Sequence, residues 1–62
     1  MTVMTIDNKT GDTRKYSHYM IDRSEYPTLE DLKNLALECL NDNAYSIQIF
    51  ENNYEVIKIY NN

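Results

Sequence analysis

Apolar and polar side chains alternate along Thr2-Val3-Met4-Thr5-Ile6-Asp7, and strand-forming residues resume from Asp12 to Ile21 after Asn8-Lys9-Thr10-Gly11. This pattern predicts two strands about a turn. Gly11 is the single glycine. Its expected place is the left-handed residue after a type I turn, closing a three-residue loop of Lys9-Thr10-Gly11 with a G1 bulge. That loop sets Asn8 opposite Asp12, and therefore Ile6 opposite Arg14, Met4 opposite Tyr16 and Thr2 opposite His18. One face then carries Met4, Ile6, Tyr16 and Met20, and the other Val3, Thr5, Lys15, Ser17, Tyr19 and Ile21.

A second period follows. Leu29, Leu32, Leu35, Ala36, Cys39 and Leu40 fall within an arc of about 140° at helical spacing, the width of a stripe packed on a sheet. Thr28 is the expected N-cap, accepting from the Asp31 amide, with Pro27 placed to staple onto Leu32. Glu30 and Asp31 put negative charge at the positive end of the helix dipole. The helix is expected from Leu29 to Asn41, closed by Asp42-Asn43 with Asn43 left-handed. Glu30, Asp31, Asn34, Glu38 and Asn41 form the outer face, and Leu37 stands among them as an exposed apolar group.

Alternation returns in Tyr45-Ser46-Ile47-Gln48-Ile49-Phe50 and Tyr54-Glu55-Val56-Ile57-Lys58-Ile59-Tyr60, a second hairpin. A two-residue Asn52-Asn53 turn pairs Ile47 with Lys58 and mixes apolar with polar side chains on both faces. A three-residue Glu51-Asn52-Asn53 loop, with Asn53 left-handed, pairs Ile47 with Ile57, Ile49 with Glu55 and Tyr45 with Ile59, so parity favours the odd loop. Ser46, Gln48, Phe50, Tyr54, Val56, Lys58 and Tyr60 then share the second face.

The expected fold is α+β, in the order ββαββ: a four-stranded antiparallel sheet with the helix on one face, a single domain over residues 1–62. Its core is expected from Met4, Ile6, Tyr16, Met20, Leu29, Leu32, Leu35, Ala36, Cys39, Leu40, Ile47, Ile49, Ile57 and Ile59. Strand order stays open at this level. A chain this short buries a modest core, and one cysteine with one histidine supplies neither an internal disulfide nor a structural zinc site. No apolar run has the length of a membrane span or the form of a signal peptide, so a cytoplasmic location is expected.

The chemistry excluded is broad. Cys39 lies within the apolar stripe and His18 near a strand end, so the single nucleophile-and-base combination is badly placed. Glu30 and Asp31 diverge by about 100° around the helix and do not make a carboxylate dyad. Gly11 alone does not form a phosphate loop, and Asp7, Asn8 and Asp12 lack the spacing of a calcium loop. No catalytic function, cofactor or metal is expected.

What remains is an uncovered sheet face bearing Val3, Tyr19, Phe50, Tyr54, Val56 and Tyr60 with Lys15 and Lys58, and an acidic helix face of Glu30, Asp31 and Glu38 around Leu37. Tyrosine offers large contact area with a polar tip and little rotamer entropy to lose. Three uses follow: a protein-binding module that occupies a partner's surface, with the acidic helix mimicking nucleic-acid charge; a single-stranded nucleic-acid platform; or a homodimer completing a small core. A net charge of -4 lacks the basic footprint of a nucleic-acid binder and ranks protein binding first. In size, acidity and a composition rich in Asn, Ile, Lys and Tyr, typical of AT-rich coding sequence, the chain resembles small phage-encoded inhibitors of host polymerases, nucleases or CRISPR effectors. The resemblance is one of format and implies an anti-defence role toward a host protein without assigning any residue.

Overall fold

The computed structural model describes residues 1–61 and contains β1 (Thr2–Thr10), β2 (Thr13–Ile21), α1 (Leu29–Cys39), β3 (Ala44–Glu51) and β4 (Tyr54–Tyr60). The strands form one antiparallel sheet in the order β2-β1-β3-β4, and α1 packs chiefly on β3 and β4. The ββαββ α+β architecture expected from the alternation is therefore the architecture of the chain. Its two centre strands come one from each hairpin, so each hairpin leaves its second strand, β2 or β4, as an edge.

The first hairpin turns differently from the expectation. Thr10 pairs with Thr13 across a two-residue Gly11-Asp12 turn, with Gly11 at φ 62°. Glycine at the first central position with positive φ is the pattern of a type II′ turn, whose twist matches that of the strands it joins. The pairing is Thr2 with Ile21, Met4 with Tyr19 and Ile6 with Ser17, which reverses the parity of β2 relative to β1. Ser17, Tyr19 and Ile21 therefore lie on the helix side with Met4 and Ile6, while Tyr16, His18 and Met20 lie on the open side with Val3 and Thr5. Tyr16 and Met20, expected in the core, are 58% and 75% exposed.

The second hairpin corrects a different step. Asn52 and Asn53 both have positive φ, 50° and 72°, the backbone of a two-residue type I′ turn, and Glu51 pairs with Tyr54. This turn alone has the wrong parity for the isoleucines. A bulge restores it: Phe50 pairs with Glu55 and Ile49 with Ile57, leaving Val56 as the extra residue. Beyond the bulge Ile47 meets Ile59. The expected face of all four isoleucines is right, although their partners are shifted. A second bulge, at Asp7/Asn8 in the β1–β3 pairing, leaves Tyr45 unpaired between Ala44 and Ser46.

Thr28 caps the helix as expected: its Oγ1 accepts from the Asp31 amide at 3.1 Å, and the Asp31 carboxylate accepts from the Thr28 amide at 3.1 Å. The helix ends two residues early, at Cys39. Asn43 is not left-handed; instead the Asn41 Oδ1 accepts from the amides of Asn43 and Ala44 and turns the chain directly into β3. Leu32 and Ala36 are fully buried and pack with Met4, Ile6, Ala44, Ile47 and Ile49. Ile21, Tyr26, Cys39, Leu40, Ile57 and Ile59 close around them, Leu35 is half-buried, and Leu29 is 58% exposed. Pro27 is exposed, and Tyr26 beside it packs on the core. Arg23 holds that loop, donating to the carbonyls of Tyr26 at 2.9 Å and Pro27 at 2.8 Å and pairing with Glu51.

Candidate binding face of the sheet

The helix covers one side of the sheet, and the other carries a cluster of aromatic rings and cations. Tyr45 reaches this side because its bulge takes it out of the alternation that leaves Ala44 in the core. Its ring stands edge-on to that of Tyr60, with centroids 6.1 Å apart and planes at 84°. The Arg14 guanidinium lies 4.7 Å from the Tyr45 centroid, and Lys58 Nζ lies 5.0 Å from that of Tyr60. A cation thus caps each end of the tyrosine pair. Tyr16, two residues beyond Arg14 on the same side of β2, extends the surface across that strand.

The charges in this cluster are held in place. Asp7 is buried between strands and accepts from Arg14 Nη2 at 2.5 Å and Nε at 3.3 Å, a two-pronged contact that fixes the guanidinium plane. Hydrogen bonding to Asp7 and its charge push the Arg14 pKa above the ordinary arginine value. Lys58 is likewise raised, first by the neighbouring Tyr60 hydroxyl, with the charges of Tyr60, Glu55 and Tyr45 adding. Both are surface groups, and solvent weakens these interactions. Glu55 accepts from Gln48 Nε2 at 2.6 Å, so two carboxylates offset the two cations.

The other end of the face is more apolar. Val3 and Phe50 pair across β1 and β3, and with Met1, Asn52 and Asn53 they line a shallow depression. The terminal ammonium donates to Asn52 Oδ1 at 2.7 Å, and the Asn52 amide donates to the Met1 carbonyl at 2.9 Å, which pins the N-terminus to the turn. His18 Nδ1 and Thr5 Oγ1 lie 3.1 Å apart in the middle of the face.

Of the residues singled out in the sequence, Phe50, Lys58 and Tyr60 are on this face. Val56 is at its edge, 38% exposed, as the extra residue of the bulge. Tyr19 and Tyr54 are not: Tyr19 pairs with Met4, and Tyr54 with Glu51, which itself faces Thr2, so both project on the helix side beyond the helix. They are 51% and 77% exposed. Lys15 is on that side as well. Glu30, Leu37 and Glu38 are exposed on the outer helix surface, and Asp31 is committed to the cap. The two surfaces are separated by the sheet, so one flat partner engages one of them. Tyr16 and Tyr45 are the members that sequence reasoning missed; the bulge at Tyr45 leaves no mark in the local pattern.

His18 and Cys39 lie on opposite sides of the sheet, so they do not form a nucleophile and base. Among the described residues no three His, Cys, Asp or Glu side chains gather as metal ligands, and no helix is long and apolar enough to cross a membrane. No protein-family model, curated protein or solved structure matches the chain.

Proposed function

We propose that this chain is a protein-binding module whose contact surface is the open face around Tyr45, Tyr60, Tyr16, Arg14 and Lys58, and that it acts as a small inhibitor of the phage type by occupying the surface of a host protein. The observation that carries this reading is the Arg14–Tyr45–Tyr60–Lys58 row. Tyrosine and arginine are the residues that dominate binding energy at protein interfaces. Here their rotamers are held by mutual contact before any partner arrives, which lowers the ordering cost of association.

The same row suggests a second use, stacking of single-stranded bases on tyrosine with the cations on phosphate. Local charge ranks it lower. Asp7 pairs with Arg14 and Glu55 acts on Lys58, which leaves Lys9, opposite Arg14 on the same face, as the cation most available to phosphate, a small positive footprint for nucleic-acid affinity.

The test is capture on the tagged protein from a host lysate, with and without nuclease, followed by affinity measurement on the eluted species with the Tyr45→Ala/Tyr60→Ala variant. A nuclease-resistant protein whose affinity falls by more than ~2 kcal/mol in the folded variant supports the proposal. Unchanged affinity in that variant rules the face out. Recovery of nuclease-sensitive material alone puts the nucleic-acid reading first.

A further inference from the structure

The edge strand β2 is largely exposed on both faces, with Ile21 at its end packed on the core. Tyr16 and Met20 are 58% and 75% exposed on the open side, and Tyr19 is 51% exposed on the helix side. The opposite edge, β4, carries the Val56 bulge, a device that discourages pairing with another chain. β2 runs nine residues with neither bulge nor proline in its pairing to β1.

Its outward hydrogen-bonding groups follow from the register. Thr10 and Thr13 flank a two-residue turn and form a hydrogen-bonded pair, and such pairs alternate along an antiparallel ladder. Lys15, Ser17, Tyr19 and Ile21 are therefore bonded to β1, whereas Arg14, Tyr16, His18 and Met20 direct their N–H and C=O groups outward. Lys9, opposite Arg14, confirms the phase: its amide points away from β2 and donates to the Asn43 carbonyl at 2.7 Å.

We propose that β2 pairs antiparallel with β2 of a second copy across a two-fold axis at Ser17, joining two sheets into one of eight strands. Matching outward groups to outward groups allows only registers in which the residue numbers of a pair sum to an even value. The sum of 34 is the one that overlaps the whole strand. It sets Arg14 opposite Met20 of the second copy, Tyr16 opposite His18, Lys15 opposite Tyr19, and Ser17 opposite itself. The pairs are a cation with a soft apolar group or ring, two rings, two hydroxyls and, at the ends, Thr13 with Ile21, and no like charges face each other within the strands. Arg14 and Lys15 of the two copies are carried to opposite ends of the ladder, separated by roughly 15–20 Å at 3.4 Å per residue, beyond a Debye length at physiological salt. Arg14 is also neutralised by Asp7, which removes much of the charge that ordinarily protects an edge. Each copy contributes four donors and four acceptors to the new ladder. Asp12 and Asp22 of the second copy come near one another only in the turns outside it.

Sedimentation equilibrium of the unmodified chain from about 1 μM to about 1 mM should show the mass moving from one chain to two. In a Cys39→Ala background, Ser17→Cys places two thiols in a non-hydrogen-bonded pair, whose Cα separation of about 4.5 Å lies within disulfide range. Thr13→Cys faces Ile21 instead and keeps its thiols apart. Mild oxidation should link the Ser17→Cys chains at least tenfold faster than the Thr13→Cys chains, and Ser17→Lys should weaken association at least tenfold by opposing two cations at the axis. A single-chain mass at all concentrations overturns the proposal. So does a dimer that is indifferent to Ser17→Lys, or one in which both thiols link at the same rate.

Discussion

Leu32 and Leu29 occupy the same apolar stripe of the sequence, three positions apart, yet Leu32 has no exposed surface and Leu29 is 58% exposed. Replacing each with Ala separates stripe membership from burial. Removing a buried leucine side chain costs about 2–5 kcal/mol, because the lost transfer energy is compounded by a cavity that the neighbours fill only in part. Around Leu32 those neighbours are sheet residues such as Ile47 and Ile49, themselves fully buried and held by pairing on both sides, so the cavity persists. Leu29 leaves more than half of its surface in water; full burial is worth about 1.5–3 kcal/mol, so its loss should stay near or below about 1 kcal/mol. A domain of this length has a total stability on the order of 3–9 kcal/mol at about 0.05–0.15 kcal/mol per residue. Leu32→Ala therefore removes a third or more of it, and at about 4–8 °C per kcal/mol a loss of about 3 kcal/mol lowers the melting temperature by about 12–24 °C. Urea unfolding followed by circular dichroism measures both variants, and an unchanged m-value confirms that the same transition is compared. Equal shifts for Leu29→Ala and Leu32→Ala would refute the placement of the helix on the sheet.

Three further outcomes follow. Deleting Val56 removes the bulge and leaves every other β3–β4 pair intact, so thermal melting should register a loss of about 1 kcal/mol or less, whereas deleting Lys58 reverses the face of Ile59 and should cost about 2–4 kcal/mol. The Ser24 hydroxyl and amide both donate to the Asp22 carboxylate, at 2.7 Å and 2.9 Å, and lower its pKa. Because the folded-state value lies below the unfolded one, this contribution is present above the unfolded pKa and disappears as pH falls through the folded one; a carboxyl titration by NMR should give a midpoint below that of an aspartate in an unstructured peptide, and a midpoint at or above it rejects the contact. If the acidic outer helix steers a basic partner, Glu30→Lys with Glu38→Lys should lower both the association rate and its salt dependence, and a salt-independent rate in the unmodified chain excludes steering.

Local chemistry accounts for what was legible in the sequence. Thr28 and Asp31 satisfy each other's backbone amides within four residues, so the start of the helix needs no tertiary information. The same holds for the helical stripe that supplies Leu32 and Ala36, and for the alternation that makes four strands. The shared face of Ile47, Ile49, Ile57 and Ile59 was legible because misplacing any of them exposes apolar surface, whatever turn joins the strands. That constraint is on parity and leaves the partner free, which is why a type I′ turn with a bulge at Val56 replaces the expected three-residue loop without moving an isoleucine to the wrong side.

In the first hairpin parity was not constrained in this way. Tyr16, Tyr19, Met20 and Ile21 make both faces of β2 apolar enough to fit either register, and the turn at Gly11 decided between them. Strand order and helix placement belong to the tertiary structure as well. β1 pairs with β3 across the helix, the helix settles over β3 and β4, and β2 is left largely uncovered on both sides, with Ile21 reaching the core. The Tyr45 bulge arises where β3 meets β1, from a partner more than thirty residues away in the chain. The sequence by itself determined the elements, the cap and the side of the sheet on which the four isoleucines of the second hairpin lie, because those follow from hydrogen bonds and hydrophobic burial within one element or one hairpin. Which tyrosines meet which cations was decided only when the two hairpins joined, because a one-residue bulge there redirects a side chain without altering the local pattern that encodes the strand.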